Sequence, residues 1–126
     1  MKPFSSALTQ ESDMKIITLP ASYLVHGIKH GWGNGYVLIP PGHPYHGVGY
    51  DDIPVEVHGG LTFSDIITQD RVDSEWADGK LDNADVGYWA VGFDTAHYGD
   101  NLRKWTKEAV LAETQRLRDQ LIDLGE

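Results

Sequence analysis

The last part of the chain follows a helical pattern of hydrophobic and polar positions. Five residues recur at steps of four, three, four and three, the spacing of one face of an α-helix: Val110, Thr114, Leu117, Leu121 and Leu124. Gly125 is typical of a helix end. Because an isolated amphipathic helix is only marginally stable in water, the pattern also predicts a partner surface elsewhere in the chain.

The middle of the chain follows strand patterns instead. Residues 16–19 form a short apolar run that Pro20 ends, and residues 61–67 form another candidate strand. Residues 53–58 and 86–94 alternate between apolar and polar positions, as half-buried strands do.

A β-hairpin is predicted between residues 23–32 and residues 36–39. Asn34-Gly35 favours a two-residue type I′ turn, because both central residues of that turn need a positive φ. The turn would join a strand over 23–32 to a strand over 36–39.

Strands followed by one helix predict the fold class. Trp89, Val91 and Phe93 share a strand face, as do Val55 and Val57, and these faces are the natural partners of the helix. We therefore expect an α+β fold, a mostly antiparallel sheet with the C-terminal amphipathic helix packed on one face. The polar, aperiodic residues 1–14 predict a flexible N-terminal arm, and residues 15–126 a single α+β domain.

Composition and charge exclude cysteine chemistry and argue against some classes of partner. The 126 residues include no cysteine, which excludes disulfides, thiolate metal ligands and a cysteine nucleophile. The net charge of −9 argues against nucleic acid as a partner. Residues 69–85 hold much of the surplus, with two basic and six acidic side chains, and predict a solvated acidic loop. No signal peptide or membrane span is evident, so we expect a cytoplasmic protein without membrane contact.

A polar sheet face is the first candidate for a functional site. With the helix on one face, the opposite face would carry Glu56, His58 and Asp94. Glu56 and His58 are two residues apart, which places their side chains on one side of a strand about 7 Å apart. The small residues Ala90 and Gly92 would leave room above this face for a pocket.

Loops on either side add histidines and tyrosines. The full set of candidate ligand-binding residues is His43, Tyr45, His46, Tyr50, Glu56, His58, Asp94, His97 and Tyr98. Imidazole and carboxylate groups also bind zinc or manganese. The candidate ligands of a divalent metal are His43, His46, His58, Asp94 and His97.

Each of these features also has a structural interpretation. The spacing of His43 and His46 occurs in metal sites, but the pair is on a proline-containing loop and a hydrogen-bonded loop is the favoured explanation. Asp94 and His97 form either a proton-transfer pair or a capped turn. Trp76, in the acidic loop, is a lid anchor, a partner contact or a core residue.

Two blocks of sequence resemble a widespread family of small phage and prophage proteins, usually carried without assigned function. The blocks are EVHGGLTFS at 56–64 and GFDTAHYGD at 92–100. Thr95 occupies a position where many relatives have cysteine, so a cysteine nucleophile there is not part of a shared mechanism. The resemblance implies a phage origin and the host-cell cytoplasm, without an established activity.

Three functions follow, of which binding is favoured over hydrolysis. The first is a phage-type accessory protein that binds a small polar ligand, such as a nucleotide-derived host defence signal, and sequesters it. The second is a metal-dependent hydrolase. The third is an acidic, non-enzymatic inhibitor of a host protein, in which residues 69–85 would contact the partner. Aromatic-rich strands also suggest a homo-oligomer.

Overall fold

Four strands and two α-helices make up the architecture of the described residues. The structure, a computed structural model, describes residues 14–21 and 30–126. The strands are β1 (Ile16–Pro20), β2 (Gly33–Ile39), β3 (Phe63–Ile66) and β4 (Trp89–Phe93), and the helices are α1 (Gln69–Asp73) and α2 (Lys107–Leu124). All pairs are antiparallel, in the order β1-β2-β4-β3. Because α2 packs on the strands, the predicted α+β fold is confirmed.

The apolar stripe of α2 covers one face of the sheet. Its buried residues are the predicted Val110, Thr114, Leu117 and Leu121. They share one buried cluster with Val37, Ile39, Val91 and Phe93 of the central strands, and the helix lies closest to β2 and β1. The N-terminus of α2 is capped by Thr106, whose side chain accepts a hydrogen bond from the backbone N–H of Ala109. The predicted helix partner is therefore confirmed.

This core includes Met14. The residue is assigned to the arm by the sequence pattern, but its side chain is buried in the same cluster as α2. Residues 1–13, the rest of the predicted arm, lie outside the described residues, as do residues 22–29 of the predicted first hairpin strand.

The predicted type I′ turn at Asn34-Gly35 is wrong. Both residues lie within β2, where Asn34 pairs with Leu19 and Gly35 with Thr18. The glycine supplies space rather than a positive φ, since a Cβ at Gly35 would lie 2.0 Å from Thr114 Oγ1 of α2. The first strand partner of β2 is β1, not residues 30–32.

The predicted strand over 53–58 is irregular and does not join the sheet. Its apolar alternation is correct, because Ile53 and Val57 are buried and Glu56 is exposed. Side chains of α2 take the place of a neighbouring strand. Gln120 accepts a hydrogen bond from the Glu56 N–H at 2.8 Å and donates one to the Glu56 carbonyl at 2.7 Å.

The opposite face of the sheet is closed, so the predicted pocket above Ala90 and Gly92 is absent. The ring of Tyr36 covers Gly92, where an added Cβ would lie 2.4 Å from Cδ1. Trp76 packs against the rings of Tyr36 and Phe63 at 5.2 and 5.4 Å between centroids. Trp76 is therefore a core residue, and the acidic segment 69–85 covers this face.

Candidate metal centre

Three side chains converge beside the N-terminal half of α2. His58, His97 and Asp100 each offer one potential ligand atom, and these atoms lie within 4.8 Å of one another. His58 is the last residue of the segment 53–58, which runs along α2. The other two residues belong to the loop after β4. The end of this segment and the end of β4 therefore meet where α2 begins.

His58 is held by contacts with α2, Trp105 and Asp100. Its backbone N–H donates to Glu113 Oε2 of α2 at 2.8 Å, and its ring lies 4.2 Å from the ring of Trp105, centroid to centroid. Its Nε2 lies 2.8 and 3.0 Å from the two carboxylate oxygens of Asp100. A hydrogen bond from Arg116 holds the pKa of Glu113 below its usual value, so the Glu113 carboxylate is a strong acceptor for the backbone of His58.

The loop over 94–100 is closed by its own backbone. The N–H of His97 donates to Asp100 Oδ2 at 2.9 Å, and the N–H of Asp100 donates to the His97 carbonyl at 2.9 Å. The His97 ring lies directly on Gly59, where an added Cβ would be 2.3 Å from Cε1. Gly59 also has a φ of 70°, so both the conformation and the close contact require glycine.

His97 Nδ1 faces two carboxylates without a hydrogen bond to either. It lies 3.3 Å from Asp94 Oδ1 and 3.4 Å from Asp100 Oδ2, is shielded from solvent, and has no hydrogen-bond partner in the described part of the chain. Two ligand atoms on a tetrahedral zinc ion lie about 3.3 Å apart when each bond is about 2.0 Å long. The spacing between His97 Nδ1 and Asp100 Oδ2 therefore suits two ligands of one ion.

Asp100 carries the negative charge of the centre. Burial acts to raise the pKa of this carboxyl, but hydrogen bonds from His58 and from the backbone N–H of His97 outweigh burial and keep the pKa below its ordinary value. Because the folded-state pKa is the lower one, ionised Asp100 stabilises the fold above the ordinary carboxyl range. That contribution is lost as the pH falls through the folded-state pKa. At neutral pH the group is a carboxylate, as a metal ligand must be.

The other two candidate histidines have hydrogen bonds elsewhere. His43 Nδ1 accepts the N–H of Tyr45, so Nε2 is the donor to the Leu121 carbonyl of α2 at 2.7 Å. His46 Nε2 donates to the Gly87 carbonyl at 2.7 Å. Among the described residues, neither belongs to a group of three possible ligands.

His43 is expected to act as a cap for the last turn of α2. His43→Ala should lower the free energy of unfolding by roughly 1 kcal/mol, because the Leu121 carbonyl loses the imidazole donor and keeps only the Gly125 N–H. Urea unfolding checks the value. Metal binding at His58, His97 and Asp100 should be unchanged, and its loss would show that His43 belongs to the centre.

The remaining candidates lie around the fold without meeting at one point. Tyr45 packs against the core under α2, and Glu56 is exposed with its backbone bound to Gln120. The backbone N–H of Tyr50 donates to Ser64 Oγ of β3. Tyr98 is fully exposed in the loop between His97 and Asp100. Asp94 lies beside His97 and accepts hydrogen bonds from Thr62 Oγ1 and the Ala96 N–H.

The sequence interpretation missed Asp100 as a member of the centre. A signal for it exists, because Asp94, His97 and Asp100 follow one another at intervals of three residues in the GFDTAHYGD block. Trp105 and Glu113, which hold His58, leave no comparable sequence signal. They contact His58 only because α2 returns along residues 53–58.

Comparisons with known proteins leave the site to be interpreted on its own geometry. No family model, no curated protein and no solved structure matches the chain. The resemblance to phage proteins, with the origin and the host-cell location that it implies, stays a prediction. Within residues 14–21 and 30–126, no helix has both the length and the apolar character needed to cross a membrane.

Proposed function

We propose that this chain is a metal-dependent hydrolase in which His58, His97 and Asp100 bind one divalent transition-metal ion. The proposal depends chiefly on the convergence of the three ligand atoms within 4.8 Å. Two imidazoles and one carboxylate are ligands that zinc and manganese accept. The surplus of acidic residues in the chain also favours a cation over an anion as the species bound directly at Asp100.

Three protein ligands suit a catalytic rather than a structural ion. Structural zinc sites usually have four protein ligands, whereas catalytic sites leave one position for water or substrate. The side chains of His58 and His97 are 23% and 32% exposed, so part of each ring reaches solvent, although His97 Nδ1 itself is shielded. A bound divalent ion lowers the pKa of its water and so supplies a nucleophile for hydrolysis.

Neighbouring groups provide the support that such a centre needs. Metal-bound histidines are usually oriented by second contacts from carboxylates or backbone groups. Glu113 and Trp105 hold His58, while Gly59 fixes the plane of the His97 ring. Asp94, whose side chain is 30% exposed, is the carboxylate beside His97 that is placed to accept a proton from attacking water.

The structure changes the order of the three initial hypotheses. A single pocket formed by all nine candidate residues loses support, because His43, His46 and Tyr50 contact separate parts of the fold. Sequestration of a host defence signal and inhibition of a host protein stay predictions. The acidic segment that the inhibitor hypothesis uses also covers the sheet, since its own Trp76 packs against the buried cluster there.

Metal titration tests the centre. Protein freed of metal with a chelator should bind one equivalent of Zn²⁺ or Mn²⁺ in calorimetry, and His97→Ala should abolish this binding. Zinc at a hundred times its Kd should stabilise the fold by about 2.7 kcal/mol. His46→Ala is the matched control, since it removes an imidazole outside the centre. Absence of stoichiometric binding to the wild-type protein would remove the proposal.

Hydrolysis is tested separately with chromogenic esters. The metal-loaded protein should cleave 4-nitrophenyl acetate, 4-nitrophenyl phosphate or bis(4-nitrophenyl) phosphate, and the His97→Ala variant should not. Stoichiometric metal without turnover of any of these esters would retain the metal centre but contradict its assignment to a hydrolase.

A further inference from the structure

We infer that the proposed centre acts on a phosphate ester that carries an aromatic or heterocyclic group, as a nucleotide does. This inference rests on the proposed function and adds the substrate class. It depends on residues 98–104, which include one ligand of the centre and also carry exposed cations and an exposed aromatic ring.

The loop after Asp100 begins and ends at the centre. Asp100 is a proposed ligand, and the ring of Trp105 covers the ring of His58. Between them the chain makes a tight turn, in which the Trp105 N–H donates to the Asn101 carbonyl at 2.9 Å. The Lys104 N–H donates to Asn101 Oδ1 at 3.0 Å. Residues 102–104 therefore lie between a proposed ligand and the residue that packs on His58.

Two cations on this loop are exposed and uncompensated. Arg103 and Lys104 form no ion pair within the described part of the chain. Three other described cations have acidic partners: Lys15 is paired with Asp85, Arg71 with Asp65 and Arg116 with Glu113. Lys80 donates to a backbone carbonyl, Lys107 lies over the Trp32 ring, and Arg118 forms no ion pair among the described residues. In a chain of net charge −9, two adjacent free cations next to a metal centre form a local site for an anion.

An aromatic platform lies on the same loop. Tyr98, between His97 and Asp100, has its side chain fully in solvent, and Leu102 is about half exposed. Exposed aromatic rings next to a positively charged surface are the elements with which proteins stack nucleobases while holding their phosphates. An apolar contact surface beside two cations thus favours an aromatic phosphate over a free inorganic anion.

The chemical step follows from these positions. The metal ion and the two cations would bind the phosphate oxygens. The oxygen of water forms a bond to phosphorus while the ester P–O bond breaks, and the electron pair of that bond goes to the leaving oxygen. One proton of the attacking water passes to Asp94 and the other stays on the phosphate. The leaving oxygen takes up the proton that Asp94 releases, so the products are the alcohol and phosphate. No oxidant or further reactant is needed.

Ligand binding by the zinc-loaded protein tests the inference. Calorimetry with adenosine 5′-monophosphate should show an affinity about ten-fold or more above that for adenosine, because only the monophosphate carries the anion. Arg103→Gln combined with Lys104→Gln should reduce the affinity for the monophosphate about ten-fold and leave the zinc affinity unchanged. Tyr98→Ala should weaken binding of the monophosphate but not of inorganic phosphate.

Lys80→Gln is the control for the loss of a positive charge elsewhere on the surface. Lys80 lies in the segment that covers the other face of the sheet and donates to the Thr18 carbonyl, so its loss should leave nucleotide binding intact. Equal affinities for the monophosphate and adenosine, or no binding of either, would overturn the inference while zinc binding still supported the metal centre. Failure to bind zinc in the same samples would instead overturn the proposed function.

Discussion

Asp100→Asn is expected to weaken zinc binding by about 100-fold or more. Asparagine keeps the shape of the side chain and an oxygen that accepts the His97 N–H, so the loop should stay closed. What the variant loses is the negative charge between the two imidazoles, and with it the charge that a divalent ion requires. Calorimetric titration with Zn²⁺ measures the change directly.

Asp94→Asn is the matched control for this substitution. Asp94 lies in the same loop and also faces His97, but it falls outside the group of three converging ligands. Its loss should weaken zinc binding less than the loss of Asp100, since it acts through the orientation of His97. If both variants bound zinc as tightly as the wild-type protein, Asp100 would be a structural group of the loop and not a ligand.

The stability of Asp100→Asn separates a lost ligand from a lost fold. Burial of the Asp100 side chain, which is 5% exposed, means that removing its charge also alters two hydrogen bonds from His58. Urea unfolding of the metal-free protein should therefore show a loss of roughly 1–3 kcal/mol. An unchanged circular dichroism spectrum together with weak zinc binding would assign the effect to the metal.

Periodicity predicted the parts of the fold that depend on burial alone. The stripe from Val110 to Leu121 and the apolar face of β4 follow their spacing, because each position is decided by whether one side of a regular element meets water. The position of the acidic segment 69–85 was harder to predict, since its charged residues suggest exposure to solvent. Its few apolar members, Trp76, Ala77 and Leu81, nevertheless close the second face of the sheet.

Hydrogen-bond partners between distant residues were not predictable in the same way. The alternation of 53–58 is that of a strand, but the backbone of Glu56 pairs with the side chain of Gln120 rather than with another strand. For the same reason only two of the three residues of the candidate centre were predicted. His58 and His97 were named from their residue type, whereas the role of Asp100 depends on a loop geometry that residue spacing alone does not determine.

Gly35→Ala is expected to destabilise the fold by about 1–3 kcal/mol, because a single methyl group here meets two packed side chains. Its Cβ would lie 2.0 Å from Thr114 Oγ1 and 2.8 Å from Phe93 Cε1, which are both buried. The helix therefore approaches β2 at a point where only glycine fits. Urea unfolding gives the change, with Gly49→Ala as the control, since Gly49 has an ordinary φ of −61° and open space around an added Cβ.

Thr114→Ala tests whether contact with Thr114 is what destabilises Gly35→Ala. Thr114 Oγ1 donates to the Val110 carbonyl within α2, so its loss alone should cost a modest amount of stability. It also removes the atom nearest the new methyl group, and the combined variant should be less destabilised than the sum of the two single changes. A strictly additive result, or a Gly35→Ala variant as stable as Gly49→Ala, would show that α2 does not contact β2 as closely as the structure has it. The Asn34-Gly35 pair would then need another explanation than the approach of the helix.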